Sequence, residues 1–261
     1  MTFLNKIVLV TGAGSGIGEA ISINFAKLSA RLYLIDKNGD GLKKTAEVCE
    51  KLSRTKVFTA VADLADDDLV EKVINNAKKE FGRIDVVVNC IGICKRTTIL
   101  DPNIIQVYDE VMKNNLRSIV RITNCVAPIL IESQGCLVNI SSVSAVLTSK
   151  ELIVYCTSKA ALNHFSKCVA LELAPKGVRV NCILSGPVAT NILINAGSSK
   201  EDSDAAWKGA KELAPLKQLV KADEVAELAA FLTSDKAKGI TGSIYSVDSG
   251  YGLIGCQDIR D

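Results

Sequence analysis

The chain has 261 residues, of which 48% are hydrophobic and 23% charged, and its formal net charge is +2, the composition of a globular protein able to bury a sizeable core. Lysines and acids are scattered without a basic block, which argues against nucleic acid as a partner. The longest apolar runs, such as residues 7–10, 86–88 and 129–131, fall far short of the ~18 residues needed to cross a bilayer, so no membrane segment is expected.

Taken in chain order, a first β-branched run predicts a strand at 6–11 and apolar periodicity predicts a helix over 17–29. The alternation continues with a strand at 31–36, a helix at 42–52, a strand at 56–62, a helix at 67–81 and a strand at 84–89. One long helix is expected over 104–131, then a strand at 135–141, a helix at 155–174, a strand at 178–183, a helix at 223–233 and a last strand at 243–247. Several of these helices begin after Asp or Ser in cap-like positions.

Such βαβα alternation predicts a doubly wound, Rossmann-like parallel sheet of about seven strands with helices on both faces, a three-layer α/β/α arrangement. Strands buried on both sides explain unalternated runs such as Val86-Val87-Val88. No repeat, low-complexity tract or linker divides the chain, so residues 1–261 are expected to form one domain. Only the stretch 190–215 breaks the rhythm. It is either a substrate lid or a solvated surface loop, since ligands of this fold class bind beyond the carboxyl ends of the strands.

Nine cysteines, Cys49, Cys90, Cys94, Cys125, Cys136, Cys156, Cys168, Cys182 and Cys256, contain no Cys-x-x-Cys pair, and the single histidine His164 offers no zinc spacing. Reduced, buried thiols in a cytoplasmic protein, with no metal, are expected. The apolar start runs directly into Thr11-Gly12 without a basic leader or an Ala-x-Ala site, so it reads as a strand and not as a secretory peptide. The final Asp258-Ile259-Arg260-Asp261 matches no C-terminal address signal.

The first strand ends in Thr11-Gly12-Ala13-Gly14-Ser15-Gly16-Ile17-Gly18 and a helix follows at once. There, backbone N–H groups at a helix N-terminus can meet a pyrophosphate, and glycines permit the close approach. The spacing is Gly-x-x-x-Gly-x-Gly at Gly12, Gly16 and Gly18, and without a Gly-Lys-Ser/Thr ending an adenine dinucleotide is favoured over ATP. Asp36 closes the second strand eighteen residues beyond Gly18, near the distance of about 20 at which an acid bonds a ribose 2′-hydroxyl. Its carboxylate repels a 2′-phosphate, which favours NAD(H) over NADP(H), although the neighbouring Lys37 can partly reverse that preference.

Tyr155-Cys156-Thr157-Ser158-Lys159 starts a helix and sets Tyr155 and Lys159 on one face. A phenol with a pKa of about 10 must drop by roughly 3 units to act as acid and base near neutral pH. A nearby ammonium, with the positive charge of an oxidised nicotinamide, favours the phenolate. Upstream, Ser141 and Ser142 close the fifth strand and point in opposite directions, so only one is expected to face the crevice.

Together these segments resemble the short-chain dehydrogenase/reductase family, in its branch of about 250 residues, over nearly the whole chain. Thr11–Gly18 stands as its Thr-Gly-x-x-x-Gly-x-Gly, Asp63-Leu64 as its adenine-contacting acid and neighbour, and Asn89-Cys90-Ile91-Gly92 as its Asn-Asn-Ala-Gly. Asn115-Leu116, Ser142, Tyr155/Lys159 and Ser185-Gly186-Pro187-Val188-Ala189-Thr190 follow in order. The resemblance implies that Tyr155 is the acid/base, Ser142 polarises the substrate carbonyl, Lys159 holds ribose and tunes Tyr155, and Asn115 keeps a water in a proton relay. It implies a cofactor site comprising Gly12, Ser15, Gly16, Ile17, Gly18, Asp36, Asp63, Leu64, Asn89, Gly92, Tyr155, Lys159, Gly186, Val188 and Thr190. A homotetramer or homodimer, formed through the helices around 104–131 and 155–174 and the C-terminal segment, is implied as well.

Two segments depart from the family pattern. Cys90 and Ile91 replace an amide and a small residue beside the cofactor, and Ser185-Gly186 replaces Pro-Gly after the sixth strand. A substrate wall of Ile93, Cys94, Val143, Val146, Leu147, Ile192 and Trp207 would be mostly apolar, which points to a hydrophobic secondary alcohol or its ketone. Trp207 either caps that substrate or anchors the lid helix. His164, about 180° round its helix from Tyr155, is expected to be structural. Two rival functions remain: an NADP(H)-dependent 3-oxoacyl-type carbonyl reductase, and a dinucleotide-sensing protein without turnover.

Overall fold

The computed structural model describes residues 1–254, so Cys256 and the C-terminal signal reading at 258–261 lie outside the described residues. Seven strands form one sheet in the order β3-β2-β1-β4-β5-β6-β7, and every neighbouring pair is parallel. They are β1 (Ile7–Thr11), β2 (Arg31–Asp36), β3 (Phe58–Val61), β4 (Val86–Asn89), β5 (Cys136–Ser142), β6 (Arg179–Ser185) and β7 (Ile244–Val247). The central strands are buried along their whole length, whereas edge strand β3 alternates half-buried and exposed residues.

Alternate side chains feed two cores. Val8 and Val10 pack toward α1 (Gly16–Lys27), α2 (Gly39–Ser53) and α9 (Ala222–Thr233), where Phe25, Leu42 and Val225 lie. Leu9 and Val87 face α3 (Asp67–Phe81), α5 (Ser118–Ser133) and α6 (Ile153–Leu173), among Ile74, Ile122 and Val126. Burial on both faces is what removes the polar alternation from the strand sequences.

The helix expected over 104–131 is two helices, α4 (Ile104–Met112) and α5, joined by a π-helical turn at Lys113–Arg117. Such a one-turn widening leaves apolar periodicity almost intact and so escapes a reading of the sequence. The segment 190–215 holds two helices, α7 (Ile192–Asn195) and α8 (Lys200–Leu213). Among the described residues no helix is long and apolar enough to cross a membrane. Strand order reverses between β1 and β4, and a cleft of about 660 Å³ opens above their carboxyl ends.

Candidate active site

The glycine turn is built against the chain leaving β4. Gly12 and Gly16 have φ of +68° and +58°, a region that L side chains rarely adopt. A Cβ on Gly12 would lie 2.7 Å from the Cys90 carbonyl oxygen, and one on Gly18 only 1.9 Å from the Gly12 carbonyl oxygen. The turn therefore closes only without side chains at Gly12 and Gly18, and α1 starts within it at Gly16.

Asp36 is tied to this turn. The Gly14 N–H donates to Asp36 Oδ2 at 2.8 Å and the Asn38 N–H to Oδ1 at 2.8 Å. Each carboxylate oxygen keeps a lone pair for a further donor, and Asp36 and the turn line the same cleft. Gly14 stands outside the Gly12, Gly16 and Gly18 spacing, and the extra glycine in the cluster is the sequence signal for this contact with Asp36.

Of the other expected cofactor residues, Asp63, Leu64, Gly92 and Thr190 line the cleft, Thr190 lying where a Cβ on Gly16 would meet its methyl at 3.0 Å. Asn89, Gly186 and Val188 sit behind the wall. Asn89 Nδ2 donates to Asn139 Oδ1 at 2.9 Å, Asn139 Nδ2 to Ser166 Oγ at 2.9 Å, and Ser166 to the Leu162 carbonyl at 2.7 Å, so β4, β5 and α6 are bolted together under the site. Gly186 lets β6 approach β7, since a Cβ there would be 2.6 Å from Asp248 Cα. Val188 is buried beside Val220. Asn139 and Ser166 carried no sequence signal, because only the sheet register brings them to Asn89.

On the other side of the switch, α6 presents Tyr155 and Lys159 to the cleft. Both are buried, and Lys159 Nζ lies 5.9 Å from the centre of the Tyr155 ring while donating to the Ile140 carbonyl at 3.2 Å. Burial is the main cause that raises the Tyr155 phenol above its ordinary value; the Cys94 thiol adds to it and a hydrogen bond with the Ser142 hydroxyl opposes it. Burial likewise lowers the Lys159 ammonium from its ordinary 10.5. The protein groups by themselves thus hold the phenol protonated, and the lysine does not reverse that.

Ser142 also accepts from the Ser144 N–H at 3.1 Å, capping the short 3-10 turn Val143–Ala145. Ser141, not Ser142, contributes to the cleft wall, with its hydroxyl 3.4 Å from the Lys159 carbonyl. Asn115 sits in the π-helical turn, fully buried. Its Oδ1 accepts from the Ile93 N–H at 2.7 Å, and its Nδ2 donates to the Ile93 carbonyl at 2.9 Å and to Ser158 Oγ at 3.0 Å. Ser158 in turn donates to the Tyr155 carbonyl at 2.7 Å, which links the cleft loop to the tyrosine's own turn.

The expected apolar substrate wall is only partly present. Ile93, Cys94 and Ile192 line the cleft, joined by Lys95, Asn191 and Asn195, whereas Val143, Val146, Leu147 and Trp207 do not. The 3-10 turn after Ser142 swings Val146 out to 63% exposure, and Trp207 is half-buried on α8. His164 is exposed on α6. Burial pushes the Cys90 thiol up to about 12 and the Cys94 thiol up to about 11, so both behave as small apolar groups.

A family profile described as enoyl-(acyl carrier protein) reductase matches residues 12–252. The chain belongs to the short-chain dehydrogenase/reductase family. This family member is 34% identical over 249 residues to the oxidoreductase UcpA of Escherichia coli O157:H7, covering 94% of each chain. A short-chain dehydrogenase/reductase of unknown function from Caenorhabditis elegans, solved with cofactor, superposes with a TM-score of 0.92 at 29% identity over 99% of both chains. A 3-ketoacyl-(acyl-carrier-protein) reductase from Brucella melitensis, complexed with NADH, gives 0.84 at 27% identity over 96% of this chain and all (100%) of that one. This short-chain dehydrogenase/reductase is accordingly an oxidoreductase acting on a carbonyl or CH–OH group, with a fold that binds a nicotinamide dinucleotide. The close-packed glycine turn and the Asp36 carboxylate beside it fit that group.

Proposed function

We propose that the protein is an NAD(H)-dependent oxidoreductase that interconverts a hydrophobic secondary alcohol and its ketone, in one domain of residues 1–261 with the segment 190–215 as substrate lid. The observation that supports it most is that Tyr155 and Lys159 line the same cleft as Asp36 and the glycine turn. Gly12, Ser15, Gly16, Ile17 and Gly18 would hold the pyrophosphate, Asp36 the adenosine ribose, Asp63 and Leu64 the adenine, and Gly92, Lys159 and Thr190 the nicotinamide half, with Asn89, Gly186 and Val188 supporting that wall from behind. When bound, the nicotinamide takes or gives the hydride and, oxidised, brings a positive charge.

Tyr155 exchanges the substrate hydroxyl proton at its phenolic oxygen, and the Ser142 hydroxyl, which hydrogen-bonds that phenol, would polarise the substrate carbonyl oxygen once a substrate reaches Tyr155. Burial holds the phenol protonated until a cation enters, which suits donation in the ketone-reducing direction and proton uptake with the oxidised cofactor. Lys159 grips ribose with its ammonium and keeps a positive charge behind Tyr155. Asn115 acts as a positioning residue, holding Ile93 and, through Ser158, the Tyr155 turn.

Asp36 carries the preference for NAD(H), and Asp36→Ala tests it by calorimetry. NADH affinity is expected to fall about tenfold while NADPH affinity rises; an unchanged ratio of the two would remove that role from the carboxylate. Offering hydrophobic secondary alcohols with NAD+ or NADP+ and following reduced-nicotinamide absorbance tests the activity. A second reading, reduction of a 3-oxoacyl thioester, draws on the likeness to the Brucella melitensis reductase and on Lys37 in the cleft beside Asp36. It predicts turnover of a 3-oxoacyl thioester with NADPH and none of the simple alcohols. A homotetramer or homodimer in the cytoplasm, with reduced thiols, completes the proposal.

A further inference from the structure

At its β3 end the cleft is lined by Ala62, Asp63, Leu64 and Ala65, and the α4–α5 junction adds Asn114 and Ser118 to the lining. Sheet order sets this end apart from Tyr155, because β3 and β2 lie across the β1–β4 switch from β5 and α6. Arg117 pairs with Asp67, and Arg121 with Glu71 at 2.6 Å, so the α4–α5 junction is fastened to the first turns of α3, which follows directly on Asp63-Leu64.

The polar groups of that wall are unequally committed. The Ser118 hydroxyl donates to the Asn114 carbonyl at 2.5 Å. Asn114 Nδ2 donates to the Glu110 carbonyl at 2.9 Å, and because a carbonyl can only accept, this bond fixes which way the amide faces. Asn114 Oδ1 accepts no hydrogen bond from any described residue, and Asn114 lines the same cleft as Ala62, Leu64 and Ala65. The wall therefore offers a free, oriented acceptor among apolar groups, which suits a flat heteroaromatic ring that carries an N–H donor on its edge.

We propose that Asn114 is a specificity-determining residue that accepts a hydrogen bond from the 6-amino group of adenine, so that the cleft selects adenine over 6-oxopurine dinucleotides. This rests on the nicotinamide-adenine dinucleotide reading above. The amino group has two hydrogens, so Asp63 and Asn114 can each take one. A 6-oxopurine instead turns an acceptor toward Asn114 Oδ1, leaving both oxygens without a donor.

The test is titration calorimetry of the full chain with NADH and with reduced nicotinamide hypoxanthine dinucleotide, for the native protein, Asn114→Val and Asn114→Asp. The native protein is expected to prefer NADH, the valine variant to lose about three- to tenfold of that preference, and the aspartate variant, which keeps an acceptor, to retain it. A purely structural asparagine would weaken both dinucleotides alike and leave their ratio unchanged in Asn114→Val, which would overturn the proposal, as would a native ratio near one. Failure of the native protein to bind either dinucleotide would instead bring down the cofactor reading itself.

Discussion

The two ends of the cleft are made from different materials. On the β1–β2 side the site is main chain: positive-φ glycines, the Gly14 and Asn38 N–H groups on Asp36, and a turn that tolerates no Cβ at Gly12 or Gly18. On the β5–α6 side it is side chains, Tyr155, Lys159, Ser142 and Asn115, of which Ser142 is held by the Ser144 N–H, Lys159 by the Ile140 carbonyl and Asn115 by the Ile93 backbone. The first end is defeated by adding atoms, the second by removing polar ones, and binding and chemistry are accordingly separable by mutation.

The sharpest break is Gly18→Ala. With a Cβ 1.9 Å from the Gly12 carbonyl oxygen the turn must open, and NADH binding should fall by roughly 100-fold or more while stability drops by about 1–3 kcal/mol, read by calorimetry and urea denaturation. Asn115→Leu breaks the other end: three hydrogen bonds go, the Ile93 N–H and carbonyl lose their partner, and stability should fall by about 2–3 kcal/mol. Turnover should then drop further than NADH affinity does; the opposite order would contradict the division of labour between the ends.

Lys159→Met gives a smaller effect of opposite sign. Burial lowers the lysine pKa, so the folded protein resists the charged form, and below that lowered value the penalty on stability is present in full. Between it and 10.5 the unfolded chain still holds the proton that the folded chain releases, so stability rises with pH and the penalty fades. Methionine should therefore raise the unfolding free energy at neutral pH by roughly 1 kcal/mol while abolishing turnover, and the gap from the native protein should narrow as pH approaches 10.5. A variant less stable at every pH would show that the ammonium supports the fold.

How much of this could be read beforehand follows the same division. The seven strands and the glycine turn were legible because β-branched runs and positive-φ glycines leave local marks, and Asp36 followed from its distance to Gly18. Tyr155 and Lys159 share a wall because helical geometry alone puts i and i+4 on one face. What escaped depends on contacts between distant segments: the π-helical turn that seats Asn115, the Asn89–Asn139–Ser166 chain, and the 3-10 turn that carries Val146 away from the cleft. Choosing between Ser141 and Ser142 required more than strand alternation, since Ser141 lines the cleft while Ser142 caps the 3-10 turn that follows and acts on the phenol.

The most direct measurement is turnover and NADH affinity of Tyr155→Phe beside the native protein, with the hydrophobic secondary alcohol that the native protein turns over fastest. The account predicts a fall in kcat of about 100- to 10,000-fold with NADH affinity kept within about threefold. Activity within a few-fold of the native protein would contradict Tyr155 as the acid and base, and with it the separation of a main-chain binding end from a side-chain reacting end.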